Sequence, residues 1–147
     1  MIRLSTKGRY ATRIMIYLAA HNRDQPATTQ EIAEGEHITS DYVVQILMRL
    51  KTAGLVESRR GVKGGFVLAR DPADITVADV LEATEGTIQL VACDDDEPCQ
   101  WSSQCVTRKV WDAANDALQE VFASRTIGQL ANERLQLAAA GALMFHI

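Results

Sequence analysis

The chain has 147 residues, 47% of them hydrophobic and 23% charged, with a formal net charge of −4. That is ordinary globular composition on a chain long enough to bury a core. No uncharged apolar run approaches the roughly 18 residues of a membrane span, and Arg3, Lys7 and Arg9 precede any apolar stretch; no membrane role and no cleavable signal are expected, and the cytoplasm is the expected compartment.

The acidic average hides a split. Residues 1–70 carry 11 Lys+Arg against 6 Asp+Glu, a net +5, and residues 71–147 carry 4 against 13, a net −9. Contact with phosphates needs only a local basic surface, so nucleic acid remains open for the first half. The acidic half is expected to face away from it.

Ser5 or Thr6 caps a first helix over about residues 7–22, with Tyr10, Ala11, Ile14, Tyr17 and Leu18 on one face. Lys7, Gly8 and Arg9 fill its first turn, which is either a phosphate seat or a solvated start. Asp24, Gln25 and Pro26 form a connector. Thr28 with Glu31 three residues on is a capping-box pattern for a short helix over residues 29–34, broken by Gly35 and Glu36, with Ile38 as a buried turn residue. Thr39 caps a second helix in which Val43, Ile46, Leu47 and Leu50 recur at i, i+3, i+4 and i+7. That stripe turns Ser40, Asp41, Val44, Gln45, Met48 and Arg49 outward, and Gly54 supplies the left-handed stop.

A hairpin follows: residues 55–58, a loop with Arg59, Arg60, Gly61, Lys63, Gly64 and Gly65, and residues 66–69. A short helix, a turn, a polar-faced helix and a basic Gly-rich hairpin is the order of a recognition helix and its wing. Any αα-hairpin reproduces the helices alone. The cations on one tight loop are the stronger signal, because they repel one another unless an anion meets them.

Past Asp71-Pro72, Thr76 caps a short packing helix with Val77, Val80, Leu81 and Thr84 on one face, and Gly86 ends it. Then Cys93, Cys99 and Cys105 fall within 13 residues at equal spacing, with residues 94–97 all acidic. An odd count in a reducing compartment argues against a disulfide. Three thiolates on one loop suit a soft metal centre. Five-residue gaps are wider than structural zinc knuckles, which favours an iron–sulfur cluster, with zinc and metal-free thiol sensing as alternatives. From Val106 the pattern turns helical, with Val106, Val110, Ala114, Ala117 and Val121 in a stripe running to about Ser124. Such an outlying helix usually pairs with its copy in a symmetric dimer. Thr126 caps a last helix over about residues 127–140. His21, His37 and His146 have no ligand spacing and read as surface residues. Trp101 and Trp111 bracket the last cysteine, with packing the expected role of Trp111.

The start Arg3-Leu4-Ser5-Thr6-Lys7-Gly8-Arg9-Tyr10-Ala11, the wing Arg60-Gly61-Val62-Lys63-Gly64-Gly65-Phe66-x-Leu68 and the three cysteines together resemble the IscR-type winged-helix transcription regulators. The resemblance covers residues 1 to about 130. It implies a homodimer on a pseudo-palindromic double-stranded DNA operator and an iron–sulfur cluster (2Fe–2S or 4Fe–4S) on Cys93, Cys99 and Cys105 that sets operator affinity; a repressor is the expected role, with activator as the open alternative. By position, Ser40, Asp41, Gln45 and Arg49 form the recognition surface, Arg60 and Lys63 the wing contacts, and Thr6 and Lys7 the backbone contacts of the first helix. Three positions depart. Arg108 stands where a His ligand is usual, and a guanidinium is no ligand at neutral pH, so the fourth ligand and cluster type stay open. Val44 is apolar where the family's namesake carries an acidic residue. Gly8 occupies the acidic ligand position of the nitric-oxide-sensing relatives, which makes such a sensor the secondary reading.

The expected fold is mainly α with a small β-hairpin wing: a winged helix–turn–helix plus a long dimerisation helix. Residues 1–72 are its DNA-binding domain, residues 73–104 a short helix and cluster-binding loop, and residues 105–147 the dimerisation helix and a C-terminal helix packing back on the core. An iron–sulfur carrier is the competing class, and the basic wing argues against it. No catalytic triad, paired acids, Walker loop or dinucleotide fingerprint is present, so no enzyme is expected.

Overall fold

Helix α1, Thr6–Ala20, packs against four of the other helices and the second strand of the hairpin. The computed structural model describes residues 3–21, 25–91, 99 and 104–144. The Ser5 hydroxyl accepts from the Gly8 amide at 3.2 Å and donates to the Glu85 carboxylate, so the start of α1 is capped from two sides. Gly8, Ala11, Ile14, Met15 and Leu18 form the buried stripe of α1, with Tyr10 and Tyr17 half-buried at its margins.

Helix α2, Thr29–Glu36, opens with the expected capping box: Glu31 N–H donates to Thr28 Oγ1 at 3.2 Å, and Thr28 N–H to Glu31 Oε2 at 2.7 Å. The hydrogen bonds from the Thr28 backbone and hydroxyl hold the Glu31 carboxyl below the usual carboxylate range. Gly35 and Glu36 do not break this helix, contrary to the sequence expectation. Gly35 is small because a Cβ there would stand 2.5 Å from the Tyr17 ring, and Glu36 lies under two arginines. The stop is His37, which adopts the left-handed conformation at φ 54° while Ile38 N–H bonds back to the Ala33 carbonyl at 3.0 Å.

Helix α3, Ser40–Thr52, buries Val43, Ile46, Leu47 and Leu50 completely. Thr39 is at its N-cap position without a side-chain cap bond, and Gly54 takes φ 70° beyond its C-terminus, as the sequence predicted. Strands β1 (Val56–Arg59) and β2 (Gly65–Leu68) pair antiparallel with Val56 opposite Leu68 and Arg59 opposite Gly65. The connector adds a third backbone partner: Ala27 and Phe66 exchange hydrogen bonds of 3.0 and 2.8 Å. This explains Gly65, where a Cβ would stand 2.4 Å from the Ala27 carbonyl oxygen.

A 3-10 turn, Pro72–Asp74, leads to α4, Val77–Glu85, whose N-cap Thr76 makes a capping box with Asp79 and which ends at Gly86. Its Leu81 lies against α1, where a Cβ on Gly8 would meet Leu81 Cδ2 at 3.0 Å. Helix α5, Arg108–Ala123, has no buried residue. Helix α6, Ile127–Met144, continues past the predicted end and packs back on α1, with Ile127 in the core and Ala131 buried. Among the described residues there are six α-helices and one two-stranded hairpin, and no helix is long and apolar enough to cross a membrane.

Candidate nucleic-acid interface and cysteine segment

The core stripe of α3 fixes its opposite face. With Val43, Ile46, Leu47 and Leu50 at 0% exposure, the side chains of Ser40, Asp41, Val44, Gln45, Met48, Arg49 and Thr52 are all exposed. Two contacts align neighbouring elements with this face. Tyr10 of α1 meets Tyr42 of α3 edge-on, with ring centroids 5.9 Å apart, which brings the first turns of α1, bearing exposed Thr6 and half-buried Lys7, beside the first turn of α3. Lys51 Nζ donates to Ser58 Oγ at 2.7 Å and ties the end of α3 to β1.

The wing loop carries Arg60 and Lys63, both exposed and neither ion-paired within the chain among the described residues, while Arg59 lies 3.7 Å from Glu57. Gly61 at φ 123° turns the loop, and Gly64 is held so close to the Arg59 carbonyl that a Cβ would stand 2.6 Å from its oxygen. The glycines keep the hairpin tight and so crowd the cations, which raises the local positive potential.

Elsewhere, α1, α2 and α6 share a contact that no periodicity announces. Glu36, 2% exposed, accepts from Arg13 Nε at 2.9 Å and from Arg134 Nη1, and its carbonyl accepts from Arg13 Nη2 at 2.5 Å. Each guanidinium also covers an aromatic ring: Arg13 over Tyr10 at 5.4 Å and Arg134 over Tyr17 at 5.7 Å. Glu36 thereby clasps α1, α2 and α6 together. In the sequence these are three isolated charged residues far apart in the chain, a pattern with no local or periodic signal.

Of the cysteines, Cys99 is exposed and Cys105 half-buried, both as free thiols. The Thr107 hydroxyl lies 3.4 Å from Cys105 Sγ; this contact, with smaller help from the Arg108 and Thr107 amides and the Arg108 charge, holds the thiol below its ordinary range against a smaller opposing effect of burial. Cys93, the acidic run at residues 94–97 and Trp101 lie outside the described residues. Among the described residues no three His, Cys, Asp or Glu side chains are gathered for a metal; a half-buried thiol held below its ordinary range just before α5 nevertheless has the donor chemistry of a soft centre. Arg108, in place of the usual His, lies 3.9 Å from the Asp112 carboxylate. Trp111 is 39% exposed rather than packed, because α5 meets the rest of its own chain chiefly at α4. His21 stacks on Tyr17 at 5.8 Å, and His37 is exposed.

Comparison with known proteins agrees with this architecture. Residues 4–133 match the sequence profile of the Rrf2 family, described as iron-dependent transcriptional regulators. The HTH-type transcriptional regulator IscR of Photorhabdus laumondii is 34% identical over 140 residues, covering 95% of this chain and 85% of that protein. Among solved structures, CymR, the global cysteine regulator of B. subtilis, superimposes with a TM-score of 0.76 at 37% identity, covering 90% of this chain and 98% of that one. The IscR of T. potens gives 0.74 at 33% identity, covering 90% and 88%.

Proposed function

The chain belongs to the Rrf2 family of transcriptional regulators, and from that premise we propose that it binds a pseudo-palindromic duplex operator as a cytoplasmic homodimer whose affinity is set by an iron–sulfur cluster. As a family member it is a DNA-binding winged-helix regulator and not an enzyme. The outward face of α3 enters the major groove, Arg60 and Lys63 of the wing meet the adjacent backbone, and Thr6 and Lys7 hold a phosphate beside the start of α1. Cys93, Cys99 and Cys105 hold the cluster, which when bound would supply a state sensitive to iron supply and oxidation. Arg108 holds no metal, so the fourth donor comes from the acidic run, the partner copy or an exogenous thiol.

The observation that carries the reading is α5. Its apolar stripe, Val110, Ala114, Ala117 and Val121, has no buried member within its own chain, and it begins three residues after Cys105. Paired with the same stripe of a second copy, α5 sets the spacing of two α3 helices, and a change at Cys105 reaches that spacing through the first turn of α5. Half-sites lie about one helical turn apart, roughly 34–36 Å, so small displacements alter affinity.

A second reading has its own support. Cys99 is an exposed and Cys105 a half-buried free thiol, and the chain is similar to a cysteine regulator over nearly that protein's whole length; sensing by the bare thiols would use the same α5 linkage. One experiment separates the two. Iron, sulfide and zinc are measured per chain, with an absorption spectrum, on protein isolated without oxygen, and operator binding is compared before and after removal of the metal at several salt concentrations. Equal iron and sulfide with a visible charge-transfer band and a changed affinity are expected. Metal-free protein whose affinity responds to thiol oxidation would transfer the sensing role to the thiols, and identical affinity of loaded and emptied protein would sink the coupling.

A further inference from the structure

The outward face of α3 is polar except for one ridge. Val44 and Met48, one turn apart, are 43% and 53% exposed, and with Gln45, Arg49, Thr52, Ala53 and, from α4, Ala83 they line an open groove. A single exposed apolar residue needs no explanation. Two at i and i+4 on the face that also bears Gln45 and Arg49 form a continuous apolar strip, and both side chains remain largely exposed among the described residues.

We infer that Val44 and Met48 read the 5-methyl groups of thymines in each half-site of the operator. The inference rests on the DNA-binding reading above and deepens it. The argument is one of chemical matching: the only apolar group on base edges in the major groove is the thymine methyl. A rise of about 1.5 Å per residue separates the two side chains by about 6 Å along α3. Base pairs are stacked at about 3.4 Å, so the ridge spans about two steps. The site it fits therefore has thymines one or two steps apart on the strand facing Val44 and Met48. Gln45 and Arg49, alongside the ridge, have the hydrogen-bonding groups for adenine and guanine edges, and Asp41 in the first turn accepts from cytosine. The cationic wing beside this face favours DNA over a protein as its occupant: Arg59, Arg60 and Lys63 are all exposed and complement phosphate.

The test begins with full-length protein and a randomised duplex library. The enriched duplex is then remade with each thymine of a half-site replaced in turn by deoxyuridine, which deletes one methyl and leaves every hydrogen bond. Wild-type protein should lose about three- to tenfold in affinity at one or two positions, the scale of one buried methyl or methylene. Val44→Ala or Met48→Ala should abolish that sensitivity at its own position while melting at the wild-type temperature. Two results overturn the inference: affinity unchanged by deoxyuridine at every thymine, or the same loss in wild type and both alanine variants. A variant that alters self-association while deoxyuridine is silent would make the ridge a contact between protein copies, which also overturns it. Failure to enrich any duplex, with no salt-dependent binding, would instead remove the DNA-binding reading itself.

Discussion

Helices α3 and α5 both carry apolar side chains along one face at the helical repeat, and the fold treats the two faces in opposite ways. In α3 the four stripe residues are fully enclosed by α1, α2, α4 and β1, and its polar face is left for solvent. In α5 no residue is buried, and Val110 and Val121 remain 58% and 59% exposed. The difference is one of supply. A small winged-helix core has enough surface to cover α1, α3, α4 and the start of α6, and too little remains to bury any residue of the sixteen-residue α5, which meets the core chiefly at α4. Periodicity therefore states that a face will be buried, and the amount of core available decides whether this chain or another does the burying.

The largest effect expected from breaking this contrast lies on α5. Val110→Glu combined with Val121→Glu should leave the chain folded, because neither residue is buried, yet yield a monomer in sedimentation. Operator affinity should fall by about a hundredfold or more as the gain from two linked sites is lost. A folded dimer with full affinity would refute the pairing. On α3 the expectation is reversed. Leu47→Ala should destabilise the chain by about 2–5 kcal/mol in denaturant unfolding, whereas Val110→Ala should change monomer stability by less than about 0.5 kcal/mol.

Arg134→Ala tests whether α6 belongs to the α3 side of the contrast. It strips one of two cations from the buried Glu36 carboxylate, which keeps Arg13. A cost of about 1–3 kcal/mol is expected, with the dimer intact. The smallest effect concerns α2. Because the folded Glu31 carboxyl titrates below its unfolded value, its contribution is present above the unfolded pKa and fades as pH falls through the folded one. Glu31→Gln should flatten that part of the acid limb of the stability curve and leave neutral-pH binding unchanged.

Most of the element order was legible in the residues. Capping pairs such as Thr28–Glu31, left-handed stops such as Gly54, and the i, i+3, i+4, i+7 stripes are local signals, and local backbone energetics obey them. Gly35 misled because a glycine within a helix usually marks a break. Here it marks the place where Tyr17 of α1 lies against the backbone of α2.

What the sequence alone determined was which faces are apolar, where most helices begin, the cationic glycine-rich wing, and the clustering of three cysteines. Only the tertiary structure decided that Glu36 would clasp Arg13 and Arg134, that Ala27 would pair with Phe66 behind the wing, and that Tyr10 would bring the start of α1 beside α3. These contacts join residues separated by between 23 and 98 positions. They depend on how helices cross rather than on any repeat along the chain, so they leave no periodic trace in it.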